Sequence, residues 1–139
     1  MKKTAKRSKK GFTLVELIVV LVILAVLAAM LVPALVGYVD KAKAEKEYQT
    51  AATVYGAAQA TVTEMYGRDA IKSAGTITQA TTSGYGAQVL SLAGVNSKAV
   101  SAFSFAYGGD FIITGGTVQI NGHTYTLTIK DGVPSWKAA

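Results

Sequence analysis

Two hydrophobic patterns divide the chain. From Leu17 to Val36 the sequence is an apolar run of 20 residues, mostly Leu, Val, Ile and Ala, without a single charge. Read as a helix it extends about 30 Å, enough to cross the hydrocarbon core of a bilayer. A charged stretch rich in helix formers follows, Asp40 to Glu47. It reads as a solvated helix face. An apolar stripe then resumes at Tyr48, Ala52, Tyr55, Val62 and Met65, spacings that return to one helical face. Tyr48 and Tyr55 are expected to be core aromatics, and Gly67 is the expected stop. One helix from about Phe12 to Tyr66 would be about 80 Å long. Pro33 removes one backbone hydrogen bond within it, so a kink is expected there, and Gly37 adds tolerance just after.

Past Gly67 the period changes. Eleven of the 14 glycines fall in residues 67–139, among many Thr and Ser and few charges. Residues from Thr82 read as a loop leading to a short helix around Ala87–Leu92. Val100 to Tyr107 alternates apolar and polar residues, the pattern of a half-buried strand. Phe111 to Thr114 reads as a second strand. Thr117–Ile120 and Thr124–Ile129 flank Asn121-Gly122, a strong hairpin signal. Asp131-Gly132 predicts another turn before a closing strand near Val133–Trp136, where Pro134 fits only a sheet edge. A sheet of about 70 residues is marginal alone. Packing it on the second half of the long helix completes a core. The expected class is therefore α+β: a long N-terminal helix, transmembrane in its first half, against a small antiparallel sheet.

Charge alters the picture at one end only. The formal net charge is +6, and Lys2, Lys3, Lys6, Arg7, Lys9 and Lys10 all precede Gly11. The other eight basic residues balance the eight acids. A nucleic-acid-binding domain would carry its excess on a folded face, so no nucleic-acid site is expected. The six cations instead hold the N-terminus in the cytoplasm and send the C-terminal part outward. The chain has no cysteine, which excludes a disulfide framework and thiolate metal sites.

An ordinary signal peptide, cut near Val26-Leu27-Ala28 or Leu27-Ala28-Ala29, would be long for its class. A plain signal anchor is the second reading. Neither explains the abrupt Gly11-Phe12 junction or Glu16 at the start of the apolar run. The segment Lys10-Gly-Phe-Thr-Leu-Val-Glu16 resembles the class III leader of type IV pilins and pseudopilins, strongly over Lys9 to about Tyr48. The resemblance implies a basic leader (1–11) cut after Gly11 by a prepilin peptidase, which methylates Phe12. It implies an apolar transmembrane and assembly helix (12–36), an amphipathic continuation (37–66) and a small β-rich head (67–139), together a pilin-like lollipop. Glu16 matches the family's assembly acid and Pro33 a proline common in the same helix, near which packing into a filament is accompanied by partial unwinding.

An ionised side chain in a bilayer costs about 2.5–3.5 kcal/mol on insertion scales, so Glu16 needs a partner. Cleavage would create an amine at Phe12, about one helical turn away, which the same molecule could pair. In the family the pairing is between subunits: Glu16 of an incoming copy meets the Phe12 amine of a copy already in place. Such a head-to-tail contact repeats without closing and builds a helical filament. The implied partners are further copies of the chain, the peptidase/methyltransferase, the pilus assembly machinery and the cell membrane. The implied role is a surface filament for adhesion, twitching motility or DNA uptake, with a pseudopilin of a secretion or competence system as the alternative. Glu16 disfavours a tip subunit. A membrane-anchored binding module that never polymerises is a further reading, for which Glu16 and cleavage would be dispensable. The missing cysteines leave out the C-terminal disulfide loop of many Gram-negative pilins, which leans towards a Gram-positive source or a pseudopilin.

No catalytic or cofactor site is expected. His123 is the sole histidine and sits beside a hairpin turn, and Asp110 and Asp131 flank glycines as turn residues do. No nucleophile elbow or phosphate loop is present. No metal site is expected, and the two scattered aspartates are weak grounds for calcium.

Overall fold

The computed structural model describes residues 11–81 and 84–139; the basic leader before Gly11, and Thr82 and Ser83 of the expected loop, lie outside the described residues. The chain divides into two compact units, one ending at Ala42 and the other running from Lys43 to Ala139.

Helix α1 runs from Leu14 to Gly67. In the first unit its side chains are exposed on every face, from Leu14 through Val39. This part contains a window of mean hydropathy 3.2, none of it buried, long and apolar enough to cross a membrane. The helix continues through Pro33. The imide nitrogen has no hydrogen to give, so the Ala29 carbonyl loses its ordinary intrahelical partner there.

In the second unit the same helix buries a stripe of small residues, Ala51, Val54, Ala57, Ala58, Thr61, Val62 and Met65. Thr61 is the polar member, and its hydroxyl donates to the Ala57 carbonyl at 2.9 Å, so its burial leaves nothing unpaired. Tyr48 and Tyr55 are half-buried against this core. Ala52, expected on the stripe, is exposed; the buried face is centred one position earlier, on Ala51. Gly67 is the last helical residue but not the left-handed one. That role falls to Asp69, at φ 57°. The Ala70 N–H reaches the Met65 carbonyl at 2.8 Å and the Asp69 N–H reaches Tyr66 at 3.0 Å, the paired bonds of a Schellman end.

The sheet is a five-stranded antiparallel meander whose spatial order equals its chain order. Its strands are β1 (Gly75–Thr78), β2 (Val100–Tyr107), β3 (Ile113–Ile120), β4 (His123–Lys130) and β5 (Val133–Ala138). Helix α2 (Tyr85–Ala93) lies between β1 and β2 in the chain. The hairpin turns have positive φ at both central residues, 49° and 83° at Asn121-Gly122 and 54° and 77° at Asp131-Gly132, the backbone that matches strand twist. Pro134 pairs with Ile129 on β5, an edge strand, where its missing N–H costs no ladder bond to a further neighbour.

One strand departs from the sequence expectation, and glycine is the reason. Phe111–Thr114 is not a separate strand, because Ile113 to Ile120 forms β3 straight through Gly115-Gly116. Gly116 pairs with Phe105, and a Cβ on it would stand 2.3 Å from the Ser104 carbonyl oxygen and 2.5 Å from Phe105 Cδ1. The glycine makes room for a fully buried aromatic ring, so it belongs inside the strand. Single extra residues, Ser101 in β2 and Thr114 in β3, shift the register. Each slip moves the inward face by one position, which lets Val100 and Phe103, and Ile113 and Val118, all point into the core.

Candidate processing and assembly site

Gly11, Phe12 and Thr13 precede α1 in non-helical backbone, and Phe12 is 80 % exposed. Thr13 caps the helix. Its Oγ1 accepts the Glu16 backbone N–H at 3.2 Å, while Glu16 Oε2 accepts the Thr13 N–H at 3.3 Å. The first helical bond, Leu17 N–H to the Thr13 carbonyl, closes at 3.1 Å. This reciprocal pair is a capping box, in which each side chain satisfies an amide that the first turn would leave unpaired. The position also places the carboxylate at the positive end of the helix dipole. Gly11, Phe12, Thr13 and Glu16 line one shallow cleft. Pro33 is not part of this group.

With the leader attached, the Phe12 nitrogen is an amide and carries no charge. Breaking the Gly11–Phe12 bond would turn it into an ammonium, leaving one cation and one anion at the head of a helix otherwise uncharged to Val39. In the uncleaved chain Glu16 already has a hydrogen-bonding partner of its own, Thr13. The Thr-x-x-Glu spacing at 13–16 is the sequence signal of this role.

A second polar group lies in the other unit. Glu47, expected on a solvated face, has a side chain only 12 % exposed. Tyr125 Oη donates to its Oε2, the Asn121 amide donates to its Oε1 at 3.3 Å, and His123 Nδ1 lies 3.2 Å from Oε2. Burial alone would raise the Glu47 carboxyl, but the hydrogen bonds from Tyr125, Asn121 and His123, with the His123 charge, hold it below the usual carboxylate value. Tyr125 is pushed up to about 12, by burial first and then by its bond to Glu47. Its ring also meets Tyr48 edge-on, centroids 5.0 Å apart. The group ties α1 to the β3–β4 hairpin. His123 is itself 68 % exposed. Asp110 Oδ1 takes the Ile112 N–H at 3.3 Å, and Asp131 forms the β4–β5 turn, so both serve their own backbones.

Residues 6–32 match the sequence model of a family described as the prokaryotic N-terminal methylation motif. The match spans the second half of the basic leader, the Gly11-Phe12 junction, Glu16 and most of the apolar run. The chain thus carries the class III leader of type IV pilins and pseudopilins, a class of structural proteins handled by a prepilin peptidase and a filament assembly system. No curated protein and no solved structure matches the chain.

Proposed function

We propose that this chain is the precursor of a type IV pilus subunit, inserted in the membrane and polymerised through α1. The carrying observation is the methylation motif running straight into a fully exposed, charge-free helix with one carboxylate at its start. The N-terminus stays in the cytoplasm because of the leader cations. Cleavage after Gly11 and methylation of Phe12 follow. Glu16 then exchanges its Thr13 bond for the Phe12 ammonium of a neighbouring copy, which sets the stagger between helices. Pro33 is the place where the helix bends or loosens to pack. Apolar surface that faced lipid is covered by other copies, and the head forms the outer wall.

A pseudopilin of a secretion or competence system uses the same leader and helix. The absence of cysteine favours it, or a pilin of a Gram-positive source, over a disulfide-looped Gram-negative major pilin. Electron microscopy of sheared surface material, with mass spectrometry of the subunit N-terminus, separates the cases. Long filaments of subunits beginning at N-methylated Phe12 support the pilus. Processed subunits confined to the envelope indicate the pseudopilus. Mature subunits that still begin at Met1 overturn both.

A further inference from the structure

A groove of about 480 Å³ opens between α1 and the β3–β4 hairpin, lined among others by Lys43, Lys46, Glu47, Asn121 and His123. Lys43 precedes Glu47 by four residues and would ordinarily pair with it. Glu47 instead turns to the hairpin, where three donors absorb its charge. The stretch 40–47 holds three lysines and three acids; with Glu47 committed, three lysines face two acids. Lys43 and Lys46 stand one turn apart, both exposed, and neither forms an ion pair among the described residues. Asn121 uses one amide hydrogen on Glu47 and has a second to give. Two ammonium groups and an amide donor around an open groove suit a phosphate.

The sequence says which phosphate is near. Lys43 follows Val36, the last residue of the apolar run, by seven positions, about 10 Å of helix. That is the depth of lipid headgroups beside a hydrocarbon core.

We infer that the Lys43–Lys46–Asn121 groove binds the headgroup phosphate of an anionic phospholipid on the outer side of the membrane, holding the subunit there before assembly. This rests on the membrane placement proposed above. In the test the full chain is reconstituted in vesicles of phosphatidylcholine, with or without phosphatidylglycerol, and the Asn121 side-chain amide resonance is followed. Lipid retained after detergent extraction is measured by native mass spectrometry. Expected are a phosphatidylglycerol-dependent shift of Asn121 and retained phosphatidylglycerol. Each lysine near an anionic surface contributes about fivefold, so K43Q/K46Q should lower retention about thirtyfold while K98Q/K137Q leaves it unchanged. Equal retention in K43Q/K46Q, or an equal drop in K98Q/K137Q, overturns the site. So does inorganic phosphate in phosphatidylcholine vesicles producing the full Asn121 shift, since the groove would then be a general anion site. Chain that washes off the vesicles at alkaline pH refutes the membrane placement instead, a result distinct from the others.

Discussion

The two halves of α1 are one helix by backbone and two different objects by surface. Before Lys43 the large apolar side chains, among them Leu21, Ile23, Leu24 and Met30, are all exposed. After it, the buried stripe is built of smaller residues, largely Ala, Val and Thr, under Phe103, Phe105, Val118, Tyr125 and Leu127 of the sheet. The second half has its partner within the chain, and small residues let the sheet come close. The first half displays bulky hydrocarbon that nothing among the described residues covers. A helix hydrophobic all round belongs in lipid or in a bundle of its own kind, and the subunit role proposed above would use both. Covered and uncovered halves should therefore fail differently when mutated.

The largest effect falls on the uncovered half. E16V is expected to leave cleavage and membrane insertion intact and to abolish filaments, read by N-terminal mass spectrometry and by microscopy of sheared material. Normal filaments from E16V would remove the docking role. On the covered half, F105A empties a fully buried site and should cost about 4 kcal/mol of head stability in a denaturant titration. G116A, which sets a methyl against the Ser104 carbonyl and the Phe105 ring, should cost about 3 kcal/mol in the same titration. E47Q weakens a charge-assisted group and should cost about 2 kcal/mol.

Its pH signature is specific. Because the folded-state Glu47 pKa is lowered, its contribution is present above the ordinary carboxylate value and fades as pH falls through the lowered one. Tyr125 works at the other end. Its proton is held to about 12 against an ordinary 10.0, so its contribution is intact below 10 and is lost as pH rises through 12. Thermal unfolding across pH should show both limbs in the wild type, with the acid limb reduced in E47Q. The smallest effect is that of T13A, which removes one cap and should fray the start of α1 by about 1 kcal/mol, seen as faster amide exchange at residues 14–17 in detergent. Assembly should survive it, because the proposed filament contact needs Glu16 and the amine but not Thr13.

What was legible in the sequence was local. The apolar run, the Asn121-Gly122 and Asp131-Gly132 turns and the alternation of Val100–Tyr107 each carry their signal within a few residues. The misses depend on distant partners. Glu47 looked solvated because its ligands stand 74 to 78 residues further on. Phe111–Thr114 and Thr117–Ile120 read as separate strands because the reason for Gly116 between them, the Ser104 carbonyl and the Phe105 ring, lies on another strand. β1 went unnoticed because four residues, of which Ile77 is the buried one, are too few to show a period. At the terminus the sequence pointed to Gly11, Phe12 and Glu16, but not to the bond between Glu16 and Thr13, since attention to the membrane cost of a carboxylate hid its ordinary work as a helix cap.

The meander bears on how the head comes into being. Each strand after the first pairs with the one made just before it, β2 on β1 through to β5 on β4. No strand has to wait for a later segment to be inserted beside it, so closure distances stay short and pairing is fast. A chain threaded outward from its anchored end would present α1 first and then lay the sheet down strand by strand in order of emergence. The last step brings Trp136 of β5 to Tyr55 and Phe105, ring centroids 6.5 and 6.4 Å apart. An exported subunit built this way can finish its head as its final residues arrive, leaving the apolar half of α1 as the part still to be joined.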